Sequence, residues 1–217
     1  MSSLKAFIFD LDGTLIDSLK DLASAVNRML VEQGYPERDL ALFPEYIGDG
    51  MRQLVSRALP ESARTDDIID RCLSSYQQQY QNGWHDQTVV YAGMQDVLDE
   101  LKGRGMKIGC ISNKPHHFTQ LCCDHFFPAD TFAVVLGQRD EVPRKPDPAG
   151  AHEAAALLGL TTADCAYVGD SGIDMAFAKN SGMRGIGVSW GFRRVTELQE
   201  HGADAIVNLP WDLLLQK

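Results

Sequence analysis

No stretch of this 217-residue chain approaches the unbroken apolar length that a membrane-spanning helix requires, and basic residues are few, 20 against 30 acidic ones. The resulting net charge of −10 argues against a nucleic-acid or anionic-membrane partner, since either needs a broad basic face. It leaves room for a small anionic substrate at a locally positive site. Cysteine is sparse as well: Cys72, Cys110, Cys122, Cys123 and Cys165 form an odd, scattered set. Cys110 and Cys165 sit in apolar runs, as small buried hydrophobes do, and the Cys122–Cys123 pair lacks zinc-ligand spacing. A metal or redox role for these thiols is not expected, and a reducing cytoplasm fits. The start, MSSLKAFIFD, contains no cleavage site of a secretory leader.

The chain has a composition 44% hydrophobic and 23% charged, ordinary for a globular protein, and enough length for one domain plus a smaller insertion. Its first unusual feature is FIFDLDGTLIDS, where an apolar run leads straight into Asp10 and Asp12. An apolar run seeks burial, and a carboxylate is costly to bury without a partner. Compensating charge must come from elsewhere in the chain.

Residues 5–10 read as a strand. After them Leu19, Leu22, Ala23, Val26, Met29 and Leu30 recur at helical spacing, with Ser18 and Asp21 as a capping box and Gly34 as the stop. From there to about His85 the character stays helical. Beyond Val89 it changes: a helix at GMQDVLDELKGRG, then strands at MKIGCISN and FAVVLG, then a helix at DPAGAHEAAALLGL with Pro148 in its first turn. A strand at CAYVGD, a helix at DMAFAKNSG and strands at RGIGVSW and DAIVN complete the series. Nearly all-apolar strands alternating with helices predict an α/β fold, a doubly wound parallel sheet covered on both faces. The expected division is a core of residues 1–15 and 89–217, with a helical insertion at 16–88.

In such a sheet, ligands bind beyond the carboxyl ends of the strands. Four segments place polar residues there: Asp10, Asp12 and Thr14; Ser112, Asn113 and Lys114; Arg144 and Lys145; Asp170 and Asp174. Converging carboxylates repel one another, and a divalent cation resolves the conflict. An all-oxygen donor set without a His or Cys cluster suits Mg²⁺. With Lys145 as a fixed positive charge and Ser112 and Asn113 as neutral donors, the set makes a site for a phosphoryl group. His116 and His117 are adjacent, so on a helix start they diverge and belong to its surface or cap. Lys114 and Arg144 are expected to be solvated charges.

Four ordered motifs, DLDGT, SNK, KPDP and GDSGID, resemble those of the haloacid dehalogenase superfamily, and the insertion resembles its C1 cap. YIGDGMRQLVSRAL, YAGMQDVLDELKGRG and GVSWGF resemble the phosphoglycolate phosphatase branch. The resemblance implies a phosphomonoester hydrolase in which Asp10 is the nucleophile and Asp12 the general acid and then base. It further implies that Thr14, Ser112, Asn113 and Lys145 hold the phosphate. Asp10, Asp170 and the Asp12 carbonyl would bind Mg²⁺, and Asp174 would act through water or orient Lys145. In the cap, Gly48 and Gly50 at a helix start and Arg52 are candidates for a substrate's anionic group, with Asp49 opposing them.

The expected substrate is a small phosphorylated metabolite, with 2-phosphoglycolate leading and a sugar phosphate, nucleotide or pyrophosphate as alternatives. A dehalogenase or phosphonate hydrolase is expected to lack Asp12. A β-phosphoglucomutase-like enzyme is expected to carry a histidine early in the cap, where DSLKDLAS has none. A receiver domain would place its acceptor after a later strand and carry no insertion. Monomer and homodimer both fit.

Overall fold

A computed structural model describes residues 4–216, which divide into two compact units: Asp17–Val89, and the described sequence on either side of it. In the flanking unit the apolar run AFIF forms β1 (Ala6–Phe9), with all four residues buried. The chain leaves it through β2 (Ile16–Asp17) and returns through β3 (Val89–Val90), and these two short strands pair with each other.

Inside the insert the predicted helical character holds. Leu22, Ala23, Val26, Met29 and Leu30 line the buried face of α1 (Leu19–Glu32), and Gly34, at φ 78°, follows it where the chain must turn through left-handed backbone. Further on come α2 (Phe43–Tyr46), α3 (Met51–Ala58) and α4 (Asp66–Gln81). The last is held to α1 by Ser75 Oγ donating to Glu32 Oε2 at 2.7 Å. The expected Ser18–Asp21 capping box does not form. The Asp21 carboxylate is 1% exposed and accepts instead from Gln87 N, Thr88 N (2.8 Å) and Thr88 Oγ1 (2.7 Å). Three donors near the end of the insert outcompete one helix-start amide, and they make the burial of this carboxylate tolerable.

The flanking unit continues with α5 (Met94–Gly103), β4 (Lys107–Pro115), α6 (His116–Phe126), β5 (Val134–Gln138) and α7 (Ala149–Leu157). Next are β6 (Cys165–Gly169), α8 (Gly172–Ser181), β7 (Arg184–Val188), α9 (Val195–Glu200) and β8 (Ala205–Val207). Pro148 stands at the N-cap of α7, one residue ahead of the first turn where the sequence places it. The six long strands form one parallel sheet in the order β5-β4-β1-β6-β7-β8, as an α/β doubly wound fold requires.

Strand order reverses between β1 and β6. Phe9 is level with both Cys110 and Val168, so the carboxyl ends of β1, β4 and β6 form one edge. Beneath that edge Ile8, Leu136, Ala154, Tyr167 and Phe177 belong to one buried cluster, with the rings of Tyr167 and Phe177 edge to face at 4.7 Å. Each large apolar side chain among them, such as Ile8, Leu136 and Phe177, contributes roughly 1.5–3 kcal/mol through burial. That apolar support fixes the strand ends that carry the polar residues. Among the described residues no helix is long and apolar enough to cross a membrane.

Candidate active site

The carboxyl end of β1 becomes the loop 10–15. Asp10 N still donates to Val168 O at 2.8 Å, so the first aspartate keeps its place in the sheet, and the chain turns only after it. Gly13 makes the turn at φ 84°, and a Cβ there would lie 2.3 Å from Asp170 Oδ2. This glycine is required twice over, for its backbone angle and for the approach of the Asp170 carboxylate. Thr14 is fully buried, and its hydroxyl has no hydrogen-bond partner.

Lys145 is the centre of the charge arrangement. Its Nζ lies 2.9 Å from Asp10 Oδ1, 2.7 Å from Asp174 Oδ1 and 2.8 Å from the Tyr167 hydroxyl, which donates onward to Ile111 O at 2.7 Å. Burial alone would lower the lysine's pKa, but Asp10 and Asp174 outweigh it and hold the pKa above its ordinary value. The side chain of Asn113 clamps the backbone of the same residue, with Nδ2 donating to Lys145 O at 3.2 Å and Oδ1 accepting from Lys145 N at 2.9 Å.

Asp170 and Asp174 come from the end of β6 and the first turn of α8. Asp174 Oδ2 accepts from Ser171 N and Ser171 Oγ in a capping box, which leaves Oδ1 for Lys145. Asp170 Oδ2 accepts from Phe192 N at 2.7 Å. Gly191 just before it is pressed so close that a Cβ would lie 2.2 Å from Asp170 Cβ. The Trp190 indole donates to Thr14 O at 3.1 Å, so the turn 190–192 braces both Asp170 and the loop after β1. Burial raises the Asp10 carboxyl to about 6, with Lys145 opposing it and Asp174 and Asp12 adding to it. Burial, Asp174 and Asp10 push Asp170 well above the usual carboxylate range.

One oxygen from each of Asp10, Asp170 and Asp174 falls within 4.8 Å of the others. Three clustered carboxylates, two of them pushed toward protonation, form an all-oxygen donor set that a hard divalent cation fits and would relieve.

The structure corrects one sequence expectation outright. Lys114, read as a solvated charge, is buried, and its Nζ lies 3.0 and 3.1 Å from the two carboxylate oxygens of Asp12. The reason is topological: β4 continues to Pro115, which keeps Lys114 within the sheet edge. Arg144 is exposed as expected. His116 opens α6 and accepts through Nδ1 from Gly137 N, while His117 is exposed. Ser112 Oγ accepts from Lys114 N at 3.2 Å.

In the insert, described by itself, Gly50 at φ 83° caps α3 and Gly48 has φ 119°. The Arg52 guanidinium is engaged by Asp66 and Asp70, and Asp49 pairs with Arg57. Three contributors were not assigned to the site from the sequence: Lys114, Tyr167 and the turn 190–192. Tyr167 had a signal, as the one polar tip in the apolar run CAYVG.

A profile for haloacid dehalogenase-like hydrolases matches residues 7–188. The chain belongs to that family. Among haloacid dehalogenase-like hydrolases it is similar to the phosphoglycolate phosphatase of Pseudomonas putida, 34% identical over 205 residues that cover 93% of this chain and 75% of that protein. Phosphoglycolate phosphatase 1 of Pseudomonas aeruginosa is 33% identical over 211 residues, 95% of this chain and 77% of its own. A crystal structure from Lactobacillus delbrueckii subsp. bulgaricus, its protein provisionally assigned as a phosphoglycolate phosphatase, superposes with a TM-score of 0.92 at 32% identity, covering 98% and 97% of the two chains. A β-phosphoglucomutase of Clostridium difficile shares the fold alone, at a TM-score of 0.77 and 19% identity. This family member is a phosphatase.

Proposed function

We propose that the protein is a Mg²⁺-dependent phosphomonoesterase acting through an aspartyl-phosphate, with 2-phosphoglycolate as its leading substrate. The observation that carries this reading is Lys145 Nζ held between Asp10 Oδ1 and Asp174 Oδ1 beside Asp170. That arrangement holds the Asp10 carboxylate at a strand end beside a balancing charge. The relatives' activity on phosphoglycolate supports the substrate.

In the first step an Asp10 oxygen attacks phosphorus as the bond to the leaving oxygen breaks, and Asp12 gives that oxygen its proton. In the second step water attacks phosphorus, Asp12 takes the water's proton, and the Asp10–phosphorus bond breaks. Asp10, Asp170 and the Asp12 carbonyl would hold Mg²⁺, which supplies charge neutralisation at the phosphoryl oxygens. Asp174 orients Lys145, which balances the equatorial charge. Ser112 and the buried Thr14 hydroxyl offer hydrogen bonds to phosphate oxygens. Asn113 acts there through its backbone, because its side chain is spent on Lys145. The insert selects the substrate through Gly48 and Gly50, with Arg52 already engaged by two aspartates. The five free, buried cysteines suit a reducing cytoplasm.

Phosphate release across 2-phosphoglycolate, hexose phosphates, nucleotides and pyrophosphate, with Mg²⁺ and with EDTA, tests the reading. Release is expected only with the metal and fastest from 2-phosphoglycolate. Equal turnover in EDTA overturns the metal assignment, and preference for another ester overturns the substrate. Asp12→Asn is expected to lower steady-state turnover by about 10²- to 10⁴-fold. Wild-type turnover in that variant would remove Asp12 from proton transfer.

A further inference from the structure

The site holds two buried lysines, and the two-step chemistry uses one of them. Lys145 is committed to Asp10, Asp174 and Tyr167 on the nucleophile's side. Lys114, whose side chain is only 3% exposed, is committed to both oxygens of Asp12. Its backbone is pinned as well: its amide donates to Ser112 Oγ and its carbonyl accepts from Thr119 Oγ1 at 3.1 Å. A Cβ on Gly137 would lie 2.7 Å from that carbonyl, so the strand edge closes tightly around this residue. Burying an ammonium is expensive, and the ion pair with Asp12 offsets that cost.

We infer that Lys114 is a specificity-determining residue for the leaving group, receiving a carboxylate carried on the carbon next to the ester oxygen. This rests on the phosphoglycolate reading above and gives it a residue. Proton transfer puts the leaving oxygen about 3 Å from an Asp12 oxygen. Lys114 Nζ is 3.0 and 3.1 Å from those oxygens. The ammonium therefore lies at most about 6 Å from the leaving oxygen, by adding the two hydrogen-bond spans. A carboxylate one carbon beyond that oxygen reaches about 3 Å further, given ordinary bond lengths, which closes the gap to ion-pair distance. An ester of an uncharged alcohol brings no such partner.

The test compares 2-phosphoglycolate with 2-hydroxyethyl phosphate, which replaces the carboxylate by an alcohol, in wild type, Lys114→Met and Lys114→Arg. Both esters are expected to slow in Lys114→Met, because Asp12 loses its partner. The ratio of their kcat/KM values should fall about 10- to 100-fold, the worth of one charge-assisted contact, and recover in part in Lys114→Arg. A ratio unchanged in Lys114→Met overturns the inference, because a merely structural lysine slows both esters alike.

Inhibition of p-nitrophenyl phosphate turnover by 2-phosphoglycolate separates the two readings. If the compound binds in a Lys114-dependent way yet is hydrolysed slowly, the substrate reading fails and the role of Lys114 stands. If it is hydrolysed well whatever occupies position 114, the role of Lys114 fails alone. If it neither binds nor reacts, both fail.

Discussion

Asp10→Asn is expected to lower phosphate release by at least about 10⁴-fold with the fold intact, since an amide cannot attack phosphorus and no neighbouring group replaces it. Substantial residual turnover would remove Asp10 from the nucleophile's role. The same variant carries a second, independent prediction. Burial foremost raises the Asp10 carboxyl from 3.8 to about 6, against the opposing pull of Lys145. Between those two values the folded, metal-free protein binds a proton that the unfolded chain has already released. Folding stability from this group is therefore present below about pH 4 and is lost as the pH rises through 6. Urea unfolding in EDTA should show the variant gaining on the wild type from pH 4 to pH 7. Parallel pH curves for the two proteins would contradict a desolvated carboxylate at this position.

Lys145→Met carries the second largest expected effect, on stability and activity together. It leaves Asp10 and Asp174 buried beside Asp170 without their shared cation. Breaking a buried ion pair from one side costs about 3–5 kcal/mol, which for a chain of this size lowers the unfolding midpoint by on the order of 10 °C. Loss of the positive charge facing the phosphoryl group should lower turnover by about 10²- to 10³-fold. Calorimetry in EDTA and then in Mg²⁺ reads the first effect, with part of the loss returned by the metal. An unchanged midpoint in EDTA would show that the lysine does not balance these carboxylates.

The parallel sheet was readable because its strands are short, nearly all apolar and separated by helices at 3.6-residue spacing; AFIF and CAYVG are buried at every position. Of helix α6 only the start at His116 and His117 was read, although Phe118 with Cys122 and Thr119 with Cys123 repeat at i, i+4 and all four are buried. Helix α9 buries Leu198 alone and so carries almost no periodic signal.

At the site, charged residues at strand ends announced themselves by type and place. Their pairing did not. Lys114 and Lys145 look alike in sequence, and only the sheet edge shows that one meets Asp12 and the other Asp10. The Phe192 amide that holds Asp170 is a backbone group, which no residue type reveals.

The carboxylate of Asp21 joins the first turn of α1 to Gln87 and Thr88, so the insert is sewn shut across its own neck. Its entry and its exit are held together by that side chain and by the pairing of β2 with β3. The helices between Asp21 and Gln87 lie within a stretch that this closure pins at both ends.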